Sequence, residues 1–193
     1  MDTLVQSKPN TSQDTFPILG TDYIEFYVGN AKQSAIYYQA TFGYKWVAYM
    51  GPETGVKDKV SYVLQQDKIR LVLTSSLFPD TEISRHVAEH GDGIKVLALW
   101  VDDAEWSFNT AVERGATVAG ELKVEEDEFG VLKTASIHTY GETIHTFVER
   151  KNYHGAFRPG YEKRESSFPV DPVGLMYIDH CVGNVELGGM NKW

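Results

Sequence analysis

The sequence predicts an α+β fold of two paired βαβββ units, and three observations predict it. A strand-opening string recurs along the chain. Its first two copies each lead into an apolar helical stripe that ends on glycine. Each stripe is followed by three strand-like segments, so the order strand, helix, three strands occurs twice.

The first copy is Tyr23-Ile24-Glu25-Phe26-Tyr27-Val28-Gly29-Asn30, an apolar alternation ending on an Asn suited to cap a helix. Ala31, Ala35, Tyr38 and Phe42 then share one helical face, and Gly43 stands where a helix end favours positive φ. Residues 46–50, 60–65 and 69–74 read as strands. The second copy, Leu97-Ala98-Leu99-Trp100-Val101-Asp102-Asp103, leads into Ala104, Phe108, Ala111 and Val112, closed by Gly115. Residues 117–122, 132–139 and 143–149 read as its strands. Taking Gly141-Glu142 as a two-residue turn sets Ile137 opposite Thr146 and His138 opposite His145. Between the units, residues 80–90 read as a short helix, with Pro79 before it and Gly91-Asp92-Gly93 after it.

The third copy, Tyr177-Ile178-Asp179-His180-Cys181-Val182-Gly183-Asn184, nearly repeats the first and predicts the first strand of a third unit. Neither full unit would bury its sheet alone, so the expected organisation is one paired-unit domain over residues 16–153. A polar tail, expected to be disordered, occupies residues 1–15. A proline-bearing linker occupies 154–174, and the opening of a further domain occupies 175–193. A lone strand with an incomplete helix cannot bury its apolar face, so residues 172–193 are expected to be mobile or misplaced.

Charge and composition exclude several functions. A formal net charge of −9 disfavours nucleic acid and anionic lipid as partners. No apolar run approaches the roughly 18 residues that a membrane span needs. Cys181 is the only cysteine, which excludes an internal disulfide and multi-cysteine zinc sites. With no signal-like start, the expected location is the cytoplasm.

The paired units follow the pattern of the vicinal oxygen chelate (glyoxalase/bleomycin-resistance-like) superfamily, and four strings narrow the resemblance. His90-Gly91-Asp92-Gly93-Ile94-Lys95 running on to Val101-Asp102-Asp103 is one. Tyr140-Gly141-Glu142-Thr143 with His145-Thr146-Phe147-Val148-Glu149-Arg150 is another. The others are Gly155-Ala156-Phe157-Arg158-Pro159-Gly160-Tyr161 and Ile178-Asp179-His180-Cys181-Val182-Gly183-Asn184. In this order they resemble the amino-terminal part of 4-hydroxyphenylpyruvate dioxygenases.

The resemblance implies a structural first pair of units and a second pair holding Fe(II) through two His and one Glu. It implies conversion of 4-hydroxyphenylpyruvate and O2 to homogentisate and CO2 in tyrosine catabolism. It also implies assembly into homo-oligomers when intact. His180 matches the first metal ligand, and the other two ligands are expected beyond Trp193. No catalytic residue is expected within this chain, and the chain alone is expected to be inactive. Sliding the three copies over one another aligns Phe26, Leu99 and His180, which places a metal ligand only in the third.

Other groups carry weaker signals. His138 and His145, facing across a hairpin, would make half a metal site, but a polar cross-strand pair is the simpler reading. His86 and His90 have the i, i+4 spacing of half a site, while a helix-end role accounts for His90. Cys181 reads as a packing residue, and Glu125-Glu126-Asp127-Glu128 as a solvated loop. Two alternatives to the dioxygenase are a hydroxymandelate synthase fragment and a metal-free module that traps a small ligand between its units.

Overall fold

The computed structural model of the protein describes residues 17–166 and 168–193. The polar tail over residues 1–15 lies outside the described residues. The first unit comprises β1 (Gly20–Tyr27), α1 (Ala31–Phe42), β2 (Lys45–Met50), β3 (Lys59–Gln66) and β4 (Ile69–Ser76). Helix α2 (Glu82–His90) connects it to the second unit: β5 (Gly93–Trp100), α3 (Ala104–Glu113), β6 (Val118–Asp127), β7 (Gly130–His138) and β8 (Ile144–Glu149). A two-residue strand, β9 (Glu162–Lys163), follows.

The helix boundaries come from capping chemistry. The Asn30 side chain accepts from Gln33 N at the start of α1, and Gly43 closes that helix at φ 71°. Asp103 accepts from Trp106 N at the start of α3. The buried Glu149 carboxylate also accepts from Ala104 N at 3.3 Å, where negative charge suits the helix dipole. Thr81 and Ser84 form a reciprocal capping box on α2.

All strands join one sheet in the order β6-β7-β8-β5-β1-β4-β3-β2-β9. Each unit contributes four consecutive strands, and the units meet where β1 pairs antiparallel with β5. Alternation divides the strand residues between two faces. On the helix-bearing face, Ile24, Leu64, Leu71 and Leu73 pack with Ala31 and Ala35 of α1. Phe147 and Ala135 pack there with Phe108 of α3. On the opposite face, Tyr23, Val63, Val72, Val96, Ala98 and Val148 make a second core.

Four expectations change. The β7–β8 hairpin pairs Ile137 with His145 and His138 with Ile144, one residue away from the expected register. Thr139 N donates to Thr143 O at 3.2 Å, so the loop holds three residues, with Gly141 at φ 63°. A loop one residue longer shifts every pairing and turns partners to opposite faces. The acidic run is not a loop over most of its length, because Glu125–Asp127 belongs to β6. There Glu125 pairs with Arg158, and Asp127 accepts from the Tyr153 hydroxyl at 3.0 Å. Partly buried and buried partners compensate charges that solvation alone was expected to hold.

The third copy, residues 177–184, joins no ladder among the described residues. The residues just before it are tied to the end of β3 and the turn after it: Lys68 N donates to Met176 O, and the Gln66 side-chain oxygen accepts from Gly174 N and Leu175 N. Cys181 is exposed rather than packed, because no facing layer covers that segment.

Candidate functional site

Residues 153–161, expected as plain linker for most of their length, lie on the sheet face opposite α1 and α3. Phe157 is 2% exposed within that face's core. Its ring meets Tyr23 edge-on at 5.2 Å and Tyr161 edge-on at 4.9 Å. Arg150 holds the segment in place, donating from Nη1 to Phe157 O at 2.7 Å while its guanidinium lies over the Phe157 ring. The same Arg150 grips buried Asp22 through Nε at 2.5 Å and Nη2 at 2.6 Å, and Arg70 adds a contact at 3.3 Å. Asp22 of β1 thus ties Arg70 of β4 to Arg150 just after β8, and Arg150 in turn holds the connector.

Beside this plug, Ser61, Thr74 and Glu25 form a hydrogen-bonded chain, with Thr74 Oγ1 donating to Glu25 Oε1 at 2.7 Å. Burial pushes the Glu25 carboxyl above its ordinary range, and the Thr74 hydrogen bond opposes that shift only in part. Burial likewise raises the Tyr23 and Tyr161 hydroxyls. The interior where a ligand-trapping module would admit its guest is thus occupied by the chain's own aromatic rings.

His180 is exposed, and its Nδ1 lies 2.7 Å from Asp179 Oδ2. Among the described residues, His180 belongs to no metal-sized cluster of three or more His, Cys, Asp or Glu side chains. Its proposed equivalents are also informative. Phe26 packs on Tyr38 of α1, and Leu99 packs in the cluster containing Phe108 of α3. A His at that equivalent position would point beneath a helix. A slip of three residues instead matches His180 with Tyr23 on the opposite face. The repeat alignment therefore does not support the metal role, and the string around His180 carries it.

His138 and His145 lie on opposite faces, which removes the cross-strand pair. Burial lowers the His145 pKa. His86 and His90 do come together, and Glu142 of the β7–β8 loop joins them. The sequence signalled the helical pair, but Glu142 was legible only as a turn residue.

The two βαβββ units, joined edge to edge in one sheet, define a protein of the vicinal oxygen chelate fold. Solved structures agree. A triple mutant of 4-hydroxymandelate synthase from Streptomyces coelicolor matches at TM-score 0.69 and 27% identity, over 84% of this chain and 45% of that one. Methylmalonyl-CoA epimerase from Mycobacterium tuberculosis shares the fold at TM-score 0.55 and 18% identity, over 69% of this chain and 89% of that one. The chain belongs to the 4-hydroxyphenylpyruvate dioxygenase family. The relative from Danio rerio is 45% identical over 86% of this chain and 43% of its own length. That from Coccidioides posadasii is 41% identical over 96% of this chain and 51% of its own. The chain spans about half the length of the curated relatives it matches. No family profile matches it. No helix among the described residues is long and apolar enough to cross a membrane.

Proposed function

We propose that this chain is the scaffold half of a 4-hydroxyphenylpyruvate dioxygenase, the enzyme class that forms homogentisate and CO2 from 4-hydroxyphenylpyruvate and O2. The observation that carries the reading is identity of 41–45% to named dioxygenases over nearly the whole chain. The plugged sheet face supports a structural role for the paired units. A ligand-trapping module would keep that space free, whereas Phe157 and Tyr161 fill it. In this reading, residues 16–153 are the paired-unit domain, 154–174 the connector, and 175–193 the opening of the iron-binding domain.

Fe(II) is the cofactor the family implies, and His180 is the residue present that would hold it. The Asp179 carboxylate at Nδ1 fits that role, because it fixes one ring nitrogen and leaves Nε2 for a metal. One imidazole is nevertheless too few for a two-His, one-carboxylate set. When bound, the iron supplies the oxygen chemistry. This chain contributes His180. A reducing cytoplasm suits the single cysteine, and a homo-oligomer is the proposed assembly.

The test is turnover of 4-hydroxyphenylpyruvate with Fe(II) and ascorbate. The purified 193-residue chain is expected to form no homogentisate. Joined to the catalytic half of the Danio rerio relative, it is expected to restore turnover. Homogentisate from the chain alone, or a joined protein that folds and stays inactive, would overturn the reading.

A further inference from the structure

We propose that His86, His90 and Glu142 form a binding site for a divalent transition-metal ion, with Zn(II) as the natural probe. Helical i, i+4 spacing on α2 sets the two imidazoles side by side, with ring centroids 4.8 Å apart. The β7–β8 loop brings Glu142 Oε2 to 3.2 Å from His90 Nε2 and 3.7 Å from His86 Nδ1. One ligand atom from each residue lies within 4.8 Å of the other two. Ligands about 2.0–2.1 Å from a tetrahedral zinc stand roughly 3.3 Å apart, so the two measured separations already suit one ion. Modest side-chain rotation closes the third.

A second observation points to a ligand. His86 is only 6% exposed, yet neither ring nitrogen has a hydrogen-bond partner. A buried polar group left unmade costs about 1–3 kcal/mol, and this one faces a carboxylate across a gap too long for a hydrogen bond. A metal ion resolves that mismatch by taking a lone pair from each group. The helix-end role explains His90 but neither His86 nor the placement of Glu142.

The surrounding charges permit a cation. Lys95 is the nearby positive group, and it is engaged by Glu82 at 3.0 Å and by the Tyr27 ring. Glu89 adds negative charge 4.0 Å from His90. Two neutral imidazoles and one carboxylate suit a borderline ion such as zinc better than calcium or magnesium. Partly exposed His90 and Glu142 leave one side for water. The ion would clamp α2, the connector between the units, to the last hairpin of the second unit.

The test is calorimetric titration of the chelator-treated 193-residue chain with Zn(II), repeated with Co(II) and read by its visible absorption. One saturable equivalent is expected, together with a rise in melting temperature. His90→Ala and Glu142→Gln alter partly exposed side chains, so both are expected to fold, and each should weaken binding at least about tenfold. His180→Ala and His138→Ala should leave it unchanged. Absence of saturable binding, binding within about twofold of the parent in both His90→Ala and Glu142→Gln, or loss in His180→Ala alone would each overturn the site.

Discussion

Replacing Phe157 with Ala tests whether the connector is part of the core or merely lies upon it. The ring is almost fully buried among Tyr23, Tyr161 and the apolar residues of the sheet face opposite the helices. Burying a Phe side chain is worth about 1.5–3 kcal/mol, and each edge-on aromatic contact adds about 0.5–1.5 kcal/mol. Both rings that meet it sit on separate backbone segments, so the hole cannot collapse cheaply. The expected loss is about 4 kcal/mol, within the range of about 3–5 kcal/mol for buried Phe→Ala changes. For a chain of this size that lowers Tm by on the order of 10 °C. Urea unfolding followed by tryptophan fluorescence reads the loss directly. Phe157→Leu, which keeps most of the volume, should recover more than half of it. A loss under about 1 kcal/mol with an unchanged denaturant slope would refute the plugged interior and reopen the ligand-trapping reading.

Other outcomes follow from the same geometry. Asp22→Ala leaves Arg150 and Arg70 partly buried without their shared carboxylate, so it should cost about 3–5 kcal/mol in urea unfolding. A cost near zero would show that the arginines find other partners. Gly130→Ala would drive a Cβ into the Asn152 carbonyl at φ 120° and should destabilise by about 1–3 kcal/mol or more, read from the shift in thermal midpoint. His145 has a pKa depressed by burial from an ordinary 6.5, so the unfolded chain binds its proton more readily. Its contribution is complete above pH 6.5 and is lost as the pH falls through the depressed value. Unfolding at paired pH values should show a smaller acid loss in His145→Asn than in the parent. His180→Ala touches an exposed side chain and should change stability by no more than about 0.5 kcal/mol in the same assay.

The sequence by itself determined the repeat, the capped helices and the order of the strands. Those features are local: a two-residue period, an Asn or Asp before an apolar stripe, and a Gly after α1 act over a few neighbours. It also contained the ordered strings by which the family was recognised. Tertiary structure alone decided what long-range contacts control. One added residue in the Tyr140-Gly141-Glu142 loop put His138 and His145 on opposite faces, and no local pattern distinguishes that loop from a two-residue turn. Phe157 reads as part of a linker, because its partners Tyr23 and Arg150 reach it only after the sheet has formed. Glu142 is 52 residues from His90, and only the pairing of β5 with β8 carries its loop to α2. His180 is the reverse case. Its string marks it plainly, but among the described residues the fold gathers no cluster of three ligating side chains around it.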